Sequence, residues 1–521
     1  MPARGPQESH AGPSPSSADV PSLGAGGTCA RRGGQPSIGP IGEIVASRSY
    51  RLFLVYIVFF TGQMLVVPYV ATMQTDFFAT SIAGESIECT GLAPGVKPPR
   101  PCIEAHSDVV AWSTWSGFVT NAVVSAFINP ALGTWSDLYG RKPFLVLGFA
   151  LQFLPYVAVL LYLENVIPLY WFWPASVLAA GVSSYTLALA YFGDVISMRN
   201  RTVVFGFWTG TFYTSSVLGS FINVSGLITT AEGAVVVTLT SIAAATALTL
   251  FWIPESLPSA TRLAAQQRAH ESGVLGGRGL VASVRKLFLS AWTSLKILTR
   301  NSMFVKLAIT VMIIFVVLQE SMDFMIQYLQ EVVGFNTMDQ SVLLGVLGVS
   351  GLFALYVVLW FLLAVVRLSE KWVLVIGIVS FALEQIALAA VYQKWQAYAA
   401  VVVGSLGGLA FPAIQSIKSM SVGEDEQGAI QGALVGARSF GTGIGPLLFL
   451  ALFNAFRRGG LYYPGAPFIG ALVLELVGLG CALTIKLPAS FGKQPQKGCS
   501  GDVAAASSSG HQEKTPLLED V

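Results

Sequence analysis

Apolar stretches of about twenty residues recur along the chain from residue 50 onward, separated by short polar segments. A helix rises 1.5 Å per residue, so a stretch of about twenty residues crosses the roughly 30 Å hydrocarbon core of a bilayer. The pattern predicts an all-α membrane protein with twelve transmembrane helices. We place them at 51–75, 109–133, 143–163, 168–195, 203–228, 233–253, 303–330, 340–366, 372–392, 396–417, 428–456 and 466–486.

The longest polar segment inside this pattern follows the sixth predicted helix and divides the chain into two halves. We expect a six-helix bundle at 50–255, a basic linker at 256–302 and a second six-helix bundle at 303–487. Residues 1–49 are rich in Gly, Pro, Ser and Ala, which predicts a disordered arm, and 488–521 form a polar tail. Two sets of six helices are typical of duplicated transporters.

The charge distribution predicts the orientation of the chain. Only 11% of residues are charged and 53% are hydrophobic, whereas a soluble domain has about 25% charged residues. The net charge of +2 gives no indication of a nucleic-acid partner. Because basic residues concentrate in cytosolic loops, we expect both termini and the linker to be cytosolic. Twelve crossings place all but six of the 30 basic residues there, the exceptions being Lys97, Arg100, Lys394, Arg457, Arg458 and the intrahelical Arg438.

The most specific polar segment is GTWSDLYGRK, residues 133–142, which joins the second and third predicted helices. Its pattern G-x-x-x-D-x-x-G-R-K resembles the cytosolic loop of the major facilitator superfamily and matches at Gly133, Asp137, Gly140, Arg141 and Lys142. The glycines allow close helix approach and chain reversal. The resemblance implies that Asp137 meets the N-terminus of predicted helix 11, where the helix dipole favours an anion. The alternative is a basic turn that only sets the orientation of the chain in the membrane. Such a turn would need neither Asp137 nor the two glycines.

A second polar segment, GDVISMRNR, ends the fourth predicted helix and contains Asp194 and Arg201. Arg141 can pair with Asp194 across the short loop. Together with Asp137, these residues are expected to form a cytosolic conformational lock. Such a lock holds the two halves together in one state and opens in the other.

The second half carries a more specific resemblance. The segments FPAIQSIKSMSVGEDEQGAIQGALVGARSFGTGIGPLLF and YPGAPFIGAL resemble the hippocampus-abundant-transcript-like facilitators, a branch near the bacterial tetracycline exporters. The resemblance implies a twelve-helix facilitator of poorly defined substrate, often in internal membranes. We expect a monomeric secondary transporter of a small organic solute, with no metal or cofactor and with a proton gradient as its energy source. The matching residues include Phe411, Pro412, Ala413, Gln427, Gly428, Gln431, Gly432, Arg438, Gly445, Pro446, Pro464 and Pro467.

Predicted helix 5 departs from one pattern of that superfamily. Antiporters often carry Gly-Pro followed by Gly-Gly there, but this chain has Ser220 in place of the proline and Asn223 near the glycine pair. The departure argues against a simple drug/proton antiporter and leaves both import and export open.

Ionisable residues inside the predicted helices are few. A charge at the bilayer centre costs about 2.5–3.5 kcal/mol on insertion scales, and a carboxyl group avoids this cost by taking up a proton. Glu320 and Asp323 lie three apart on helix 7, which lines the cavity in this superfamily, and are our proton-coupling candidates; the alternative is a polar patch at the luminal end. Glu384 and Glu475 lie on helices that are usually peripheral, where we favour a structural pairing.

Further polar residues are candidates for the substrate cavity. They give an apolar pocket a few orienting hydrogen bonds. Arg438 could neutralise a buried acid or bind an anionic group of the substrate. The cavity candidates are Gln63, Tyr69, Ser184, Tyr185, Gln327 and Arg438.

Two short features lie outside the helices. Cys89 and Cys102 share one predicted luminal loop, where they form a disulfide in an oxidising compartment or remain free thiols. The tail segment EKTPLLED places Glu513 before Leu517 and Leu518, a dileucine-type sorting signal that adaptors bind. It favours an endosomal, lysosomal or vacuolar membrane over the plasma membrane.

An enzyme is not predicted, because the sequence contains no P-loop, G-x-S-x-G or H-E-x-x-H motif. The four histidines all fall in predicted loops or tails. The alternative to a transporter is a receptor or scaffold that keeps the facilitator fold but does not transport.

Overall fold

The computed structural model describes residues 39–90, 98–197, 200–260, 262–263, 266–267, 302–420, 427–458 and 463–485. Most of the predicted N-terminal arm and linker lie outside these residues. So does the tail with the predicted sorting residues Glu513, Leu517 and Leu518.

Six helical segments form the N-terminal half. A short helix, Pro40–Ala46, precedes them and occupies part of the predicted disordered arm. Their bounds are α1, Tyr50–Ala83; α2, Arg100–Phe118 continued by Val119–Ser125 and Ala126–Tyr139; α3, Arg141–Leu151 and Phe153–Leu163; α4, Leu169–Trp171, Phe172–Ala179 and Ser184–Val195; α5, Arg201–Val224; and α6, Ala231–Trp252.

Six further segments form the C-terminal half. Their bounds are α7, Ser302–Val333; α8, Thr337–Phe353, Ala354–Val358 and Phe361–Val365; α9, Glu370–Ala389; α10, Lys394–Gly404, Ser405–Leu409 and Ala410–Met420; α11, Gln427–Arg458; and α12, Ala466–Leu483.

Eight of these segments are long and apolar enough to cross a membrane by length and composition: α1, α3, α4, α6, α8, α9, α10 and α12. In α7 and α11 the apolar stretches are shorter, Ser302–Leu318 and Gly441–Phe456. The predicted all-helical membrane architecture is confirmed. That α2, α5, α7 and α11 also cross the bilayer stays a prediction.

The helices alternate in direction, so the bundle has two ends. We call the end that contains Arg141 and the start of α1 the Arg141 end, and the opposite end the Cys89 end. At the Cys89 end, a disulfide joins Cys89 and Cys102, with 5.5 Å between their Cα atoms. Both cysteines are buried in a cluster with Phe78 and Trp173.

The two halves pack most closely where α5 meets α8. Gly345, Gly348 and Gly351 repeat at every third residue of α8 and face α5. A Cβ atom at Gly348 would lie 2.8 Å from the carbonyl oxygen of Tyr213 and 2.9 Å from the backbone nitrogen of Val217. Small residues therefore let the two backbones approach each other, as in many membrane helix pairs.

Candidate functional site

A cavity of about 910 Å³ lies between the two halves. Helices of both halves line it, among them α1, α4 and α5 on one side and α7, α9, α10 and α11 on the other. The volume falls within the roughly 300–1,000 Å³ of small-molecule sites. Most of the lining is apolar, and its aromatic members are Phe60, Tyr156, Phe172, Trp173, Tyr185, Trp208, Phe212, Tyr213, Phe315, Phe324, Phe381, Phe411 and Phe449.

Arg438 of α11 contributes a cation to this lining. Its guanidinium carbon lies 4.0 Å from the centre of the Phe315 ring of α7. The ring face attracts a cation and holds the planar group in place. Tyr185 of α4, in the other half, lines the same cavity. Among the described side chains, no carboxylate forms an ion pair with Arg438.

Glu384 of α9 also lines the cavity. Its carboxylate packs so closely on Gly404 of α10 that a Cβ atom there would overlap it. Glu475 of α12 is 0% exposed, and neither of its carboxylate oxygens has a hydrogen-bond partner among the described residues. The helices that carry the two acids, α9 and α12, pack against each other. Glu384 lines the cavity, in contrast to the peripheral position that helix 9 was expected to have.

Three of the six predicted cavity residues line the cavity: Tyr185, Gln327 and Arg438. The other three are engaged inside the N-terminal half. Tyr69 donates a hydrogen bond to the carbonyl oxygen of Ile228 over 2.9 Å, and Gln63 accepts one from Tyr156. Ser184 is buried against Gly148 of α3. The sequence gives the helix but not the rotational position of each residue on it.

The proton-coupling candidates Glu320 and Asp323 lie in α7. Their side chains are outside the described part of the structure.

A network of polar side chains joins the halves between the cavity and the Cys89 end. The Thr75 hydroxyl of α1 lies 3.0 Å from Oε1 of Gln327 and 3.2 Å from Oε1 of Gln330, both on α7. His106 Nδ1 of α2 lies 2.9 Å from the same Gln327 oxygen. All four residues are buried. We call them the Gln327 network.

A second set of bonds joins α5 to α8 near the same end. The Ser220 hydroxyl donates to the carbonyl oxygen of Ser341 over 2.5 Å. The Asn223 amide donates to the Ser341 hydroxyl over 3.1 Å and to the carbonyl oxygen of Leu65 over 2.9 Å. Ser220 and Asn223 are the residues at which the sequence departs from the antiporter pattern, and that departure was the signal of this contact between the halves.

At the Arg141 end, the charged groups find partners within the N-terminal half. The Arg141 guanidinium forms an ion pair with Asp137 of α2 and lies 3.2 Å from Asp194 of α4. It also donates to the Ser136 hydroxyl over 2.5 Å. Only 10% of the Arg141 side chain is exposed. A buried cation of this kind needs close partners to offset its lost hydration.

Glu255, just after α6, completes this group, which we call the Arg141 cluster. Its carboxylate accepts hydrogen bonds from the backbone nitrogens of Arg141 over 2.8 Å and Lys142 over 3.2 Å. These are the free N–H groups of the first turn of α3, where an anion is favoured. Gly140 has φ = 104° and packs directly against Glu255, so a side chain there would be both strained and blocked.

The Arg141 cluster therefore ties together the ends of α2, α3, α4 and α6. It contains the predicted pair of Arg141 and Asp194. Arg201 lies apart from it and donates to the carbonyl oxygens of Gly193 and Ile196. The Gly133 backbone lies in α2. The side chains at the start of α11, where Asp137 was expected to bind, lie outside the described residues.

Comparison with known proteins places this geometry in a family. Residues 52–446 match the family model of the Major Facilitator Superfamily. The human hippocampus abundant transcript-like protein 1 is 26% identical over 425 residues, which cover 76% of this chain and 78% of that protein. The class D tetracycline resistance protein of Salmonella ordonez is 25% identical over 374 residues, which cover 71% and 86%.

Solved structures share the fold. The human organic anion transporter MFSD10 (TETRAN) superimposes with a TM-score of 0.55 at 16% identity, covering 83% of this chain and 99% of that one. A D-xylose–proton symporter superimposes with a TM-score of 0.59 at 14% identity, covering 86% and 99%. At these identities the likeness supports the fold alone.

Proposed function

Because the chain belongs to the major facilitator superfamily, we propose that it is a secondary active transporter that moves a small organic solute by alternating access. The solute binds in the central cavity, and the two halves rock about it so that the cavity opens to one side of the membrane at a time. A proton gradient supplies the energy.

One observation carries this proposal. The cavity lies between two halves that hydrogen-bond to each other at the Cys89 end, through the Gln327 network and Ser341. These contacts between the halves support a carrier that is closed at the Cys89 end. A rigid receptor has no need for polar contacts between halves at one end of its cavity.

We further propose that the Arg141 end and both termini face the cytosol and that the Cys89 end faces a lumen. The excess of basic residues at the Arg141 end supports this orientation, and the disulfide suits an oxidising lumen. The dileucine-type segment with Leu517 and Leu518 would direct the protein, as a monomer, to an endosomal, lysosomal or vacuolar membrane through sorting adaptors.

Glu320 and Asp323 remain proposals for proton coupling. The pair of Glu384 and Glu475 is a second candidate, because both carboxyl groups are buried and no cation among the described residues pairs with them. A carboxyl group in such surroundings carries a proton. Glu384 faces the cavity, so it can release that proton when the cavity is wet.

Flux through the purified protein in liposomes tests the proposal. Suitable probes are 2-naphthalenesulfonate, its neutral sulfonamide and a naphthylmethyl trimethylammonium cation. We expect flux of at least one probe above protein-free liposomes, accelerated by an imposed pH gradient. Glu320→Gln and Glu384→Gln, made separately, identify the coupling residue as the one whose loss makes flux independent of the gradient.

Binding of a probe without any flux would favour the alternative, a receptor that keeps the fold. Flux that ignores the pH gradient in the wild type would overturn the proton coupling while leaving the transport proposal intact.

A further inference from the structure

We propose that the substrate is an organic anion with a flat apolar body, and that Arg438 binds its acidic group. This inference deepens the proposed function, since it names the substrate class of the same cavity. It rests on the side chains that surround Arg438.

The charge of Arg438 favours an anionic ligand. Arg438 carries a positive charge that it does not lose at any physiological pH, and it lines a cavity that is otherwise mostly apolar. Its cation–π contact with Phe315 satisfies one face of the guanidinium. In the part of the chain that the structure describes, no acid pairs with its N–H groups. A half-buried charge in a mostly apolar cavity is unfavourable without a counterion, and an anionic ligand lowers that penalty.

The positions of Arg438 and Tyr185 allow one ligand to contact both halves. Arg438 belongs to the C-terminal half and Tyr185 to the N-terminal half, and both line the cavity. An acidic group between them accepts hydrogen bonds from the guanidinium and from the phenol hydroxyl. The ligand then contacts both halves at once, which is the position from which binding can bias their closure.

Aromatic rings near Arg438 favour a ligand with a flat apolar body. Trp208 lies 5.8 Å from Tyr185 between ring centres, and Phe411 lies 6.1 Å from Phe315. One aromatic pair from each half thus flanks the Arg438 position, and all four rings line the cavity. Flat apolar groups pack favourably against such rings.

Glu384 defines the competing ligand class. It is the acid among the described residues of the lining, so a cation would bind there instead. Its carboxylate is packed against Gly404, whereas no acid among the described residues pairs with the guanidinium of Arg438. The structure therefore favours the anion, and a cation serves as the contrasting probe.

Binding to the purified full-length chain in detergent tests the proposal without requiring transport. Calorimetric titration compares 2-naphthalenesulfonate with its sulfonamide, which has the same ring system and no charge, and with the trimethylammonium cation. We expect the sulfonate to bind at least about tenfold more tightly than the sulfonamide, as for a hydrogen bond to a charged group. Arg438→Gln should reduce sulfonate affinity to the level of the sulfonamide, and Arg438→Lys should restore part of it.

Lys306→Gln is the matched control. Lys306 is a cation of α7 in the same half, but it bonds to the carbonyl oxygen of Thr484 and does not line the cavity. Its replacement removes the same charge and should leave sulfonate affinity unchanged.

The proposal is overturned if the folded wild-type chain does not bind the sulfonate, or if it binds the sulfonamide or the cation equally well. Unchanged affinity in Arg438→Gln would also overturn it, as would an equal loss in Lys306→Gln. Sulfonate binding that depends on Arg438 without flux in liposomes would support this inference and refute transport. Flux of the cation alone would support transport and refute this inference.

Discussion

The two ends of the cavity are held by different chemistry. At the Cys89 end, neutral hydroxyl, amide and imidazole groups bond across the halves, through Thr75, His106 and Gln327. At the Arg141 end, charged groups join the ends of four helices of the N-terminal half, through Arg141, Asp194 and Glu255. Neutral hydrogen bonds contribute about 1 kcal/mol each, whereas a buried charge without its partner costs several kcal/mol.

The difference indicates which end moves easily. Contacts worth about 1 kcal/mol each can break and reform between two states of similar free energy. A cluster around a buried Arg141 is costly to disassemble, so it stabilises the ends of α2, α3, α4 and α6 in the N-terminal half. In the proposed transport cycle, the neutral contacts between the halves at the Cys89 end form the gate. That the charged motif locks the two halves together stays a prediction.

The largest expected effect is at the Cys89 end. Replacing Cys89 and Cys102 with Ala removes a covalent link across thirteen residues, which should lower the free energy of unfolding by about 3 kcal/mol in the chain-entropy model. Thermal unfolding in detergent measures this. Since the link lies within the N-terminal half, the distribution between open and closed states should not change; a shift in that distribution would show that the disulfide is part of the gate.

Arg141→Gln should lower the free energy of unfolding by about 2 kcal/mol, because it leaves Asp194 without its cation.

Asp137→Asn should unfold nearly as the wild type does, since 54% of the Asp137 side chain is exposed. We expect Asp137→Asn to slow transport while membrane insertion stays intact. Normal turnover in Asp137→Asn would show that this acid serves topology only.

Gln327→Leu should weaken the gate. It removes the bonds to Thr75 and His106, so the closed Cys89 end should lose about 1–2 kcal/mol, a five- to thirtyfold shift in population. Alkylation of a single cysteine placed in the cavity from the Cys89 side reports the shift. Gln63→Leu is the control, since Gln63 bonds to Tyr156 inside one half; an equal rise in alkylation there would refute a specific gate.

The smallest effect concerns the short helix at the Arg141 end. A hydrogen bond from the Ser197 hydroxyl, 2.6 Å long, lowers the pKa of the Glu43 carboxyl. This contact therefore stabilises the helix above the usual pKa of the carboxyl and is lost as pH falls through the lowered value. Because solvent reaches the half-buried Glu43 and screens its charge, the effect is a few tenths of a kcal/mol. Hydrogen exchange of residues 40–47 at pH 7 should be faster in Glu43→Gln than in the wild type. Equal rates would show that the contact with Ser197 does not stabilise the short helix.

The sequence predicted the helices because a run of about twenty apolar residues has few alternatives to a membrane span. It also predicted the pairing of Arg141 with Asp194, because opposite charges at adjacent helix ends attract each other. The side-chain contacts across the halves were not predicted. Thr75, Gln327 and Gln330 are ordinary polar residues in apolar helices, and a hydrogen bond between distant segments depends on helix rotation, which hydropathy does not specify.

The position of Glu384 shows the same limit. Its helix was expected at the periphery, but α10 changes from α-helix to 3₁₀-helix at Ser405, beside Gly404. The missing Cβ at Gly404 lets the Glu384 carboxylate reach the cavity. In the sequence, only Gly404 could have indicated that Glu384 reaches the cavity. Because the chain has 53 glycines, this one could not be singled out.

The most direct test of the proposed rocking of the two halves measures two distances between them by double electron–electron resonance. One spin-label pair, at Tyr139 and Trp372, spans the Arg141 end, and a second, at Glu232 and Tyr392, spans the Cys89 end, with the cysteines outside the disulfide replaced by Ser. We predict that in Gln327→Leu the Cys89-end distance lengthens while the Arg141-end distance shortens. Distances that stay fixed, or that lengthen together, would contradict two halves rocking about one cavity.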